Sequence, residues 1–287
     1  MNMDEFSDGA QGAAGCFPKE LIKFFEGGPR ILLVKGKSRV GKTVFLLSLA
    51  ETLGPPMNLF IVNTREPEPR SYETYPWLAT NEARDKALEN IPAADMQSKK
   101  DADVSLVSET GAKIKSARDL LKSILGEDSV AAPGTTEKKA APQVSLVSGP
   151  AELASLRNAL GNKNPRELLR VYRGLEAVGS ARAFVGVNRI DRLGEKYDIP
   201  LRPLALALKA DIVTARNAHL VIVLEKPATT VDDISDGIVT LKDVSHGDEF
   251  LGQLDVGKLT DVLVKQSKWM YNTLSGKFQV LRGISTL

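Results

Sequence analysis

The chain is poor in the residues that build covalent or metal-held frameworks. Its 287 residues include one cysteine, Cys16, and two histidines. A lone cysteine excludes an intrachain disulfide, and this Cys/His complement does not make a usual zinc donor set. With no histidine motif beside it, Cys16 reads as a tail residue rather than a catalytic thiol. No apolar run reaches the roughly 18 residues of a membrane span. The net charge of +2 gives no overall electrostatic case for nucleic acid, although it leaves room for a local basic patch. Met1 to Gly15 is acidic and Gly/Ala-rich, without a hydrophobic segment, and reads as neither a signal nor a basic transit peptide. The expectation is a cytoplasmic chain with a flexible tail over 1–16.

What is there is ordinary for a folded protein: 26% charged and 43% hydrophobic residues, in a chain long enough to bury a core without staples. Ile31 to Val34, Asn58 to Asn63, Ala183 to Val187, His219 to Leu224 and Ile238 to Leu241 are short apolar runs, the pattern of strands buried on both faces. Between them, Phe17 to Phe25, Val44 to Leu53, Asn81 to Asn90, Pro165 to Ala177 and Leu201 to Asn217 read as helices, with Tyr75 to Leu78 a compact aromatic segment. This alternation predicts an α/β fold with a mainly parallel sheet flanked by helices. From Leu251 the pattern shifts to short strands around the turn Leu274-Ser275-Gly276-Lys277, which predicts a C-terminal antiparallel hairpin. A partly disordered insertion is expected at about 92–165, where polar and Pro/Ala/Lys/Glu-rich stretches flank a helical pattern over Lys113 to Leu125. The string VSLVS at Val104 to Ser108 recurs at Val144 to Ser148. Either a duplicated strand–turn–helix unit or coincidence would account for it.

The strongest chemical signal is Gly36-Lys37-Ser38-Arg39-Val40-Gly41-Lys42-Thr43. It fits G-x-x-x-x-G-K-[ST] at every specified position and sits between a strand and a helix, as a phosphate-binding loop must. The glycines allow backbone conformations and close approaches that a side chain would block. The loop N–H groups and the positive end of the following helix can then surround phosphates. Lys42 is placed to reach β- and γ-phosphates, and the Thr43 hydroxyl to bind Mg²⁺. The expected ligands are therefore ATP and Mg²⁺. A base-reading N-K-x-D motif of the GTPase kind is not visible.

Hydrolysis would also need an acidic residue at the end of a neighbouring strand and a carboxylate to orient water. The metal-side strand Ala183 to Val187 runs into Asn188, which can bind a metal-held water but brings no charge; Asp191 follows as a candidate helix cap. Glu66, in Asn63-Thr64-Arg65-Glu66, is either a water-orienting base or a solvated charge in a Pro-rich turn. Glu225, at the end of the fourth strand, either senses a γ-phosphate through water or pairs with a surface base.

The order of these segments, with Ile234 to Leu241 after the fourth strand, resembles the RecA/RadA/KaiC superfamily of P-loop ATPases. The resemblance extends over Phe17 to Thr80 and roughly Arg166 to Leu281. The residues Thr64-Arg65 with Tyr75-Pro76-Trp77-Leu78 are most similar to the archaeal gas-vesicle regulatory protein D branch. The resemblance implies a RecA-like core over 17–287 with ATP at a subunit interface, and hence a homo-oligomer or a protein partner. It also implies that Lys258, matching the Lys of a KLRG hairpin, reaches a neighbour's nucleotide. Thr260 stands where that motif has Arg, and Asn188 where the family has its metal-side Asp. Both departures remove charges that matter in a transition state, so ATP binding with slow or absent turnover is expected.

Three readings follow: a weak ATPase whose nucleotide state controls assembly or a regulatory partner, a non-hydrolysing nucleotide-binding regulator or scaffold, and a DNA-binding recombinase relative. The third is disfavoured because no long Gly-rich basic loop follows Asn188 or Glu225. Arg166, Arg170 and Arg173 share a helix face that would either grip an acidic partner or simply be solvated. Trp269 and Tyr271 are candidates for a subunit interface or for core and edge positions.

Overall fold

The computed structural model describes residues 17–54, 58–63, 68–89, 106–107, 113–114, 165–178, 182–244 and 251–284. Its main sheet is built from β1 (Ile31–Gly36), β2 (Leu59–Val62), β5 (Phe184–Asn188), β6 (His219–Val223), β7 (Gly237–Asp243), β8 (Gly252–Leu259), β9 (Lys268–Asn272) and β10 (Gln279–Gly283). The order across the sheet is β10-β9-β8-β7-β1-β6-β5-β2. The five strands from β7 to β2 are mutually parallel. The strands from β7 to β10 are antiparallel. β3 (Leu106–Val107) and β4 (Lys113–Ile114) form a separate two-stranded ribbon.

The apolar runs predicted as strands are strands, and the sequence explains why they sit in the middle. In β1, Ile31 and Leu33 point into one core cluster, whereas Leu32 and Val34 point into the other. β6 divides likewise, with Leu220 and Ile222 on one side and Val221 and Val223 on the other. A strand with apolar residues at every position has no polar face to show water, so it must be covered twice.

One cover consists of α5 (Arg166–Val178), α6 (Ile190–Tyr197) and α7 (Leu201–Leu208). Leu168, Val171, Leu193 and Leu204 are its buried contacts. The other consists of α1 (Lys19–Glu26) and α2 (Lys42–Leu53) with Tyr75, Trp77 and Leu78. Tyr75 ends α3 (Pro69–Thr74), and Trp77 and Leu78 begin α4 (Trp77–Glu89). Asn81 and Arg84 of α4 both donate to the Leu59 carbonyl, at 2.9 and 3.1 Å. The α/β class, the parallel sheet with flanking helices and the antiparallel C-terminus expected of a RecA-like core are thus present.

Four details differ from the expectation. The antiparallel part is larger than one hairpin, because β8 extends β7 before β9 and β10 begin. The helix expected from Leu201 to Asn217 is α-helical only through Leu208 and continues as a π-helical segment over Lys209–Ala215. Inside that segment Asp211 is buried and accepts a hydrogen bond from the Tyr172 hydroxyl at 2.9 Å. α6 was not legible as a helix, because a non-glycine residue with positive φ starts it. Lys113 and Ile114, expected to open a helix, lie instead in β4. The rest of that helix, the second VSLVS copy and most of the insertion lie outside the described residues.

α2 is buried along nearly its whole length, from Phe45 to Ala50. The antiparallel strands are what enclose it. The rings of Phe17, Phe45, Tyr271 and Phe278 form one aromatic cluster, with centroid separations of 4.5 to 5.3 Å. Ser48 of α2 accepts the Phe278 N–H at 2.9 Å and shares a 2.6 Å hydrogen bond with the Tyr75 hydroxyl. Both groups are buried, so each bond also prevents an unsatisfied polar atom.

Candidate functional site

Parallel register brings the chemistry to one end of the sheet. Val34 of β1 pairs with Val223 of β6, and Val223 pairs with Asn188 of β5. The loop after β1, the turn after β6 and the turn after β5 therefore leave the sheet at the same level. In open parallel sheets this carboxyl end is where ligands bind.

The loop from Gly36 to Gly41 is shaped by three positive φ angles: +145° at Gly36, +69° at Arg39 and +84° at Gly41. A Cβ at Gly36 would stand 2.4 Å from the Leu241 carbonyl oxygen, so only glycine fits there. At Gly41 a Cβ would meet the Thr273 methyl at 3.0 Å in addition to the backbone strain. Lys37, Ser38 and Arg39 are exposed, whereas Val40 and Lys42 are buried. The Val40 carbonyl accepts a 2.6 Å hydrogen bond from the Tyr271 hydroxyl. Tyr271 and Thr273 thus brace the loop from behind, a role for the last strands that the sequence did not disclose.

α2 begins at Gly41 with no side-chain cap and no acidic residue in its first turn. Its first N–H groups and the positive end of its dipole are left for an outside acceptor. The Lys42 ammonium lies over the loop and donates to the carbonyls of Gly36, Lys37 (2.7 Å) and Glu225 (3.2 Å). Burial pushes its pKa down, the Asp191 and Glu225 carboxylates push it up, and Arg189 pushes it down again. A buried ammonium held on three carbonyls, with a second cation nearby, is in an environment that an anion would relieve.

The other side of the site is made by Asn188 and Thr43. The Asn188 amide donates to the Thr43 hydroxyl oxygen at 3.3 Å and to Asn63 Oδ1 at 3.2 Å. Asn188 is 7% exposed, and its Oδ1 has no partner among the described residues. Rotating the amide by half a turn would exchange which atom is orphaned without supplying a partner. A buried amide with one unpartnered atom beside the loop is a place for a ligand or an ordered water. Thr43 and Asn188 can hold a cation carried on phosphates, through the hydroxyl and through a water. They offer it no charge.

Asp191 caps no helix. Its carboxylate accepts the backbone N–H groups of Glu225 (2.9 and 3.1 Å) and Lys226 (2.9 Å), tying the first turn of α6 to the end of β6. The Glu225 side chain forms an ion pair with Arg192, which also pairs with Glu195 at 2.8 Å. Glu225 is thus close to the site, but its carboxylate is engaged and its carbonyl is what meets Lys42.

Lys258 lies elsewhere. It pairs with Ile238, whereas the loop begins at the level of Leu241. Three residues along a strand amount to roughly 10 Å, toward the opposite end of the sheet. Its ammonium donates to the Ser235 carbonyl at 2.8 Å. Within one chain Lys258 does not meet the loop. Thr260 donates to its own chain's Asp236 carbonyl at 2.8 Å. Tyr271 is core, at 3% exposure. Trp269 is partly buried, and its indole N–H donates to the Gln266 carbonyl at 3.2 Å. Glu66 lies outside the described residues. Arg170 and Arg173 are half-buried.

Among the described residues no helix is long and apolar enough to cross a membrane. No family of known proteins has a model matching the chain, and no curated protein matches it. Among solved structures, the chain is similar to a KaiC-like protein from the hyperthermophilic archaeon Pyrococcus horikoshii OT3, at 13% sequence identity over 89% of this chain and 91% of that one, with a TM-score of 0.48.

Proposed function

We propose that the chain binds a nucleoside triphosphate, ATP in the first instance, at the loop Gly36 to Thr43. We further propose that its nucleotide state, rather than rapid turnover, is what the protein uses. The observation that carries this reading is the Lys42 ammonium, buried over a glycine-shaped loop at the uncapped start of α2. Backbone N–H groups, a helix dipole and an ammonium converge on one small volume, which is the chemistry of a phosphate tail. In that arrangement the N–H groups of Gly41, Lys42 and Thr43 would hold phosphate oxygens and Lys42 would neutralise the outer phosphates. A Mg²⁺ arriving with ATP would supply Lewis acidity, meeting Thr43 directly and Asn188 through water.

Slow or absent turnover follows from groups that are missing or already engaged. Asn188 brings no charge, Glu225 is paired with Arg192, and Thr260 offers only a hydroxyl that is bonded to the Asp236 carbonyl. Each such charge can be worth orders of magnitude in a phosphoryl-transfer rate. The downstream role we propose is control of assembly or of a regulatory partner, as the resemblance to the gas-vesicle regulatory protein D branch implies. Lys258 would then act, if at all, on a neighbouring copy.

The test is titration of purified protein with ATP, a turnover assay, and solution mass with and without ATP. Binding with little phosphate release supports the reading, and brisk hydrolysis overturns its second half. An absence of affinity for any triphosphate at millimolar concentration overturns all of it. An ATP-induced change of mass supports the assembly role; a nucleotide-bound monomer with no turnover favours the sensing regulator.

A further inference from the structure

We propose that Arg189 is a phosphate ligand acting within its own chain. It would place a fixed positive charge beside the Thr43–Asn188 cation position, so that nucleotide binding here depends little on divalent cation. The inference rests on the nucleotide-binding reading above and extends it to a residue which that reading does not use.

Arg189 directly follows Asn188, whose amide touches Thr43. Its backbone is fixed on both sides. Asn188 is the last residue of β5, and the Arg189 carbonyl accepts the N–H groups of Arg192 (3.0 Å) and Leu193 (3.1 Å) at the start of α6. Between these anchors the residue is held at φ 59° and ψ 55°. A non-glycine residue is strained in that left-handed region, and such strain persists only where its surroundings demand it.

The local charges fit the same picture. Arg192 is paired with Glu195 and Glu225, and Lys226 with Glu195. Arg189 has no ion-pair partner among the described residues. Its charge nevertheless reaches Lys42, whose proton affinity it lowers. The two carboxylates near Lys42 are engaged, Asp191 by backbone N–H groups and Glu225 by Arg192. A carboxylate at 188 would attract a divalent cation. At this turn Asn188 leaves an amide atom orphaned, and the next residue in the chain carries a guanidinium. An amide buried to 7% exposure with one unpartnered atom marks the space between this turn and the loop as a ligand position. The guanidinium selects an anion for it, because it donates to phosphate oxygens in a fork and cannot lose its charge.

The experiment is calorimetric titration of ATP and ADP into the full chain, in magnesium buffer and in EDTA. The wild type is expected to hold ATP within about threefold of the same affinity in both buffers. Arg189→Gln is expected to weaken ATP about tenfold or more in EDTA, as loss of a charge-assisted hydrogen bond would. Magnesium should then restore part of the loss, so that a cation dependence appears which the wild type lacks. Arg189→Lys should keep most of the affinity. Arg189→Gly, which the left-handed backbone accepts without strain, removes the charge even if the glutamine variant folds poorly. Wild-type binding that collapses in EDTA overturns the inference and leaves the nucleotide reading intact, as does an Arg189→Gln variant indistinguishable from wild type. A wild type that binds no triphosphate in either buffer overturns both.

Discussion

The turn after β1 and the turn after β5 face the same space, and they are built from opposite kinds of residue. The first is the loop proposed above to hold phosphate: two glycines where a Cβ would collide or strain, an uncapped helix start, and a buried lysine over the loop carbonyls. The second, proposed above as the metal side, carries an amide followed by a guanidinium. The difference teaches that holding a phosphate and activating one are separable demands. The first needs N–H groups and a fixed charge; the second needs charge that responds to the transition state. Selection for binding alone can preserve the one and let the other change sign.

The sharpest way to break this comparison is to remove the shared half. Lys42→Ala deletes the ammonium and leaves the Gly36 and Lys37 carbonyls without their donor. ATP affinity is expected to fall more than about 100-fold, as for loss of a charged hydrogen-bonding group from a desolvated site. Equilibrium dialysis of ATP, with circular dichroism as the folding control, measures it. Retained binding would mean that the loop is not the site.

The second way is to rebuild the missing half. Asn188→Asp restores a carboxylate beside Thr43. Magnesium is then expected to strengthen ATP binding about tenfold over EDTA, since the cation gains a charged neighbour, and phosphate release should rise above the wild-type level. An unchanged ratio between the two buffers would show that residue 188 is not what separates the two turns.

How much of this could be read in advance divides along the same line. The loop and β1, β2, β5 and β6 were legible because the first is a local motif and the others are apolar at nearly every position, a pattern that only a doubly covered strand requires; β7 was legible from the shorter run Ile238 to Leu241. The pairing of Asn188 with Thr43 was legible only as a role, because the contact joins residues 145 positions apart. The bracing of the loop by Tyr271 was not legible at all: an aromatic in a C-terminal strand says nothing about which carbonyl, 231 residues earlier, it will meet. α6 and the π-helical segment escaped for a local reason, since each depends on backbone geometry that tertiary packing imposes against ordinary propensity. The engagement of Glu225 by Arg192 was one of two open alternatives that only coordinates could separate.

A third prediction separates the site from the fold that carries it. His219 starts β6, at the end of the sheet away from the loop, with its ring edge-on to Phe25 at 5.1 Å. Burial, then the charges of Arg182 and Arg30, lower its pKa from 6.5 to about 4. The folded state therefore binds this proton less readily than the unfolded chain. The stability that neutral His219 contributes is complete above pH 6.5, and it is lost as the pH falls toward about 4. Within that window the slope approaches at most about 1.4 kcal/mol per pH unit. Urea unfolding of wild type and His219→Phe at several pH values measures it, and the variant should lose this share of the slope. ATP affinity per folded molecule should not follow His219, because the imidazole is at the wrong end of the strands. A matching change in affinity would tie the two ends of the sheet together and weaken the separation drawn above.

The smallest expected effect concerns the rigid backing behind the first of the two turns. Tyr271→Phe keeps the ring in its stack with Phe278 at 4.5 Å and removes only the hydroxyl that donates to the Val40 carbonyl. The carbonyl is buried behind the loop, so it is left unsatisfied, at about 1 to 2 kcal/mol of stability. The consequence for ligand is smaller, because Gly36, Gly41 and Lys42 keep their own constraints: the C=O of Leu241 beside Gly36, the Thr273 methyl beside Gly41, and the carbonyl bonds of Lys42. A fall in ATP affinity of about threefold is expected, equal in magnesium and in EDTA, since backing supports the loop amides and not the turn after β5. Calorimetry in the two buffers decides the point. A loss confined to magnesium would mean that β9 positions the proposed metal side, and the division between the phosphate turn and the metal turn would have to be redrawn with Tyr271 on the second.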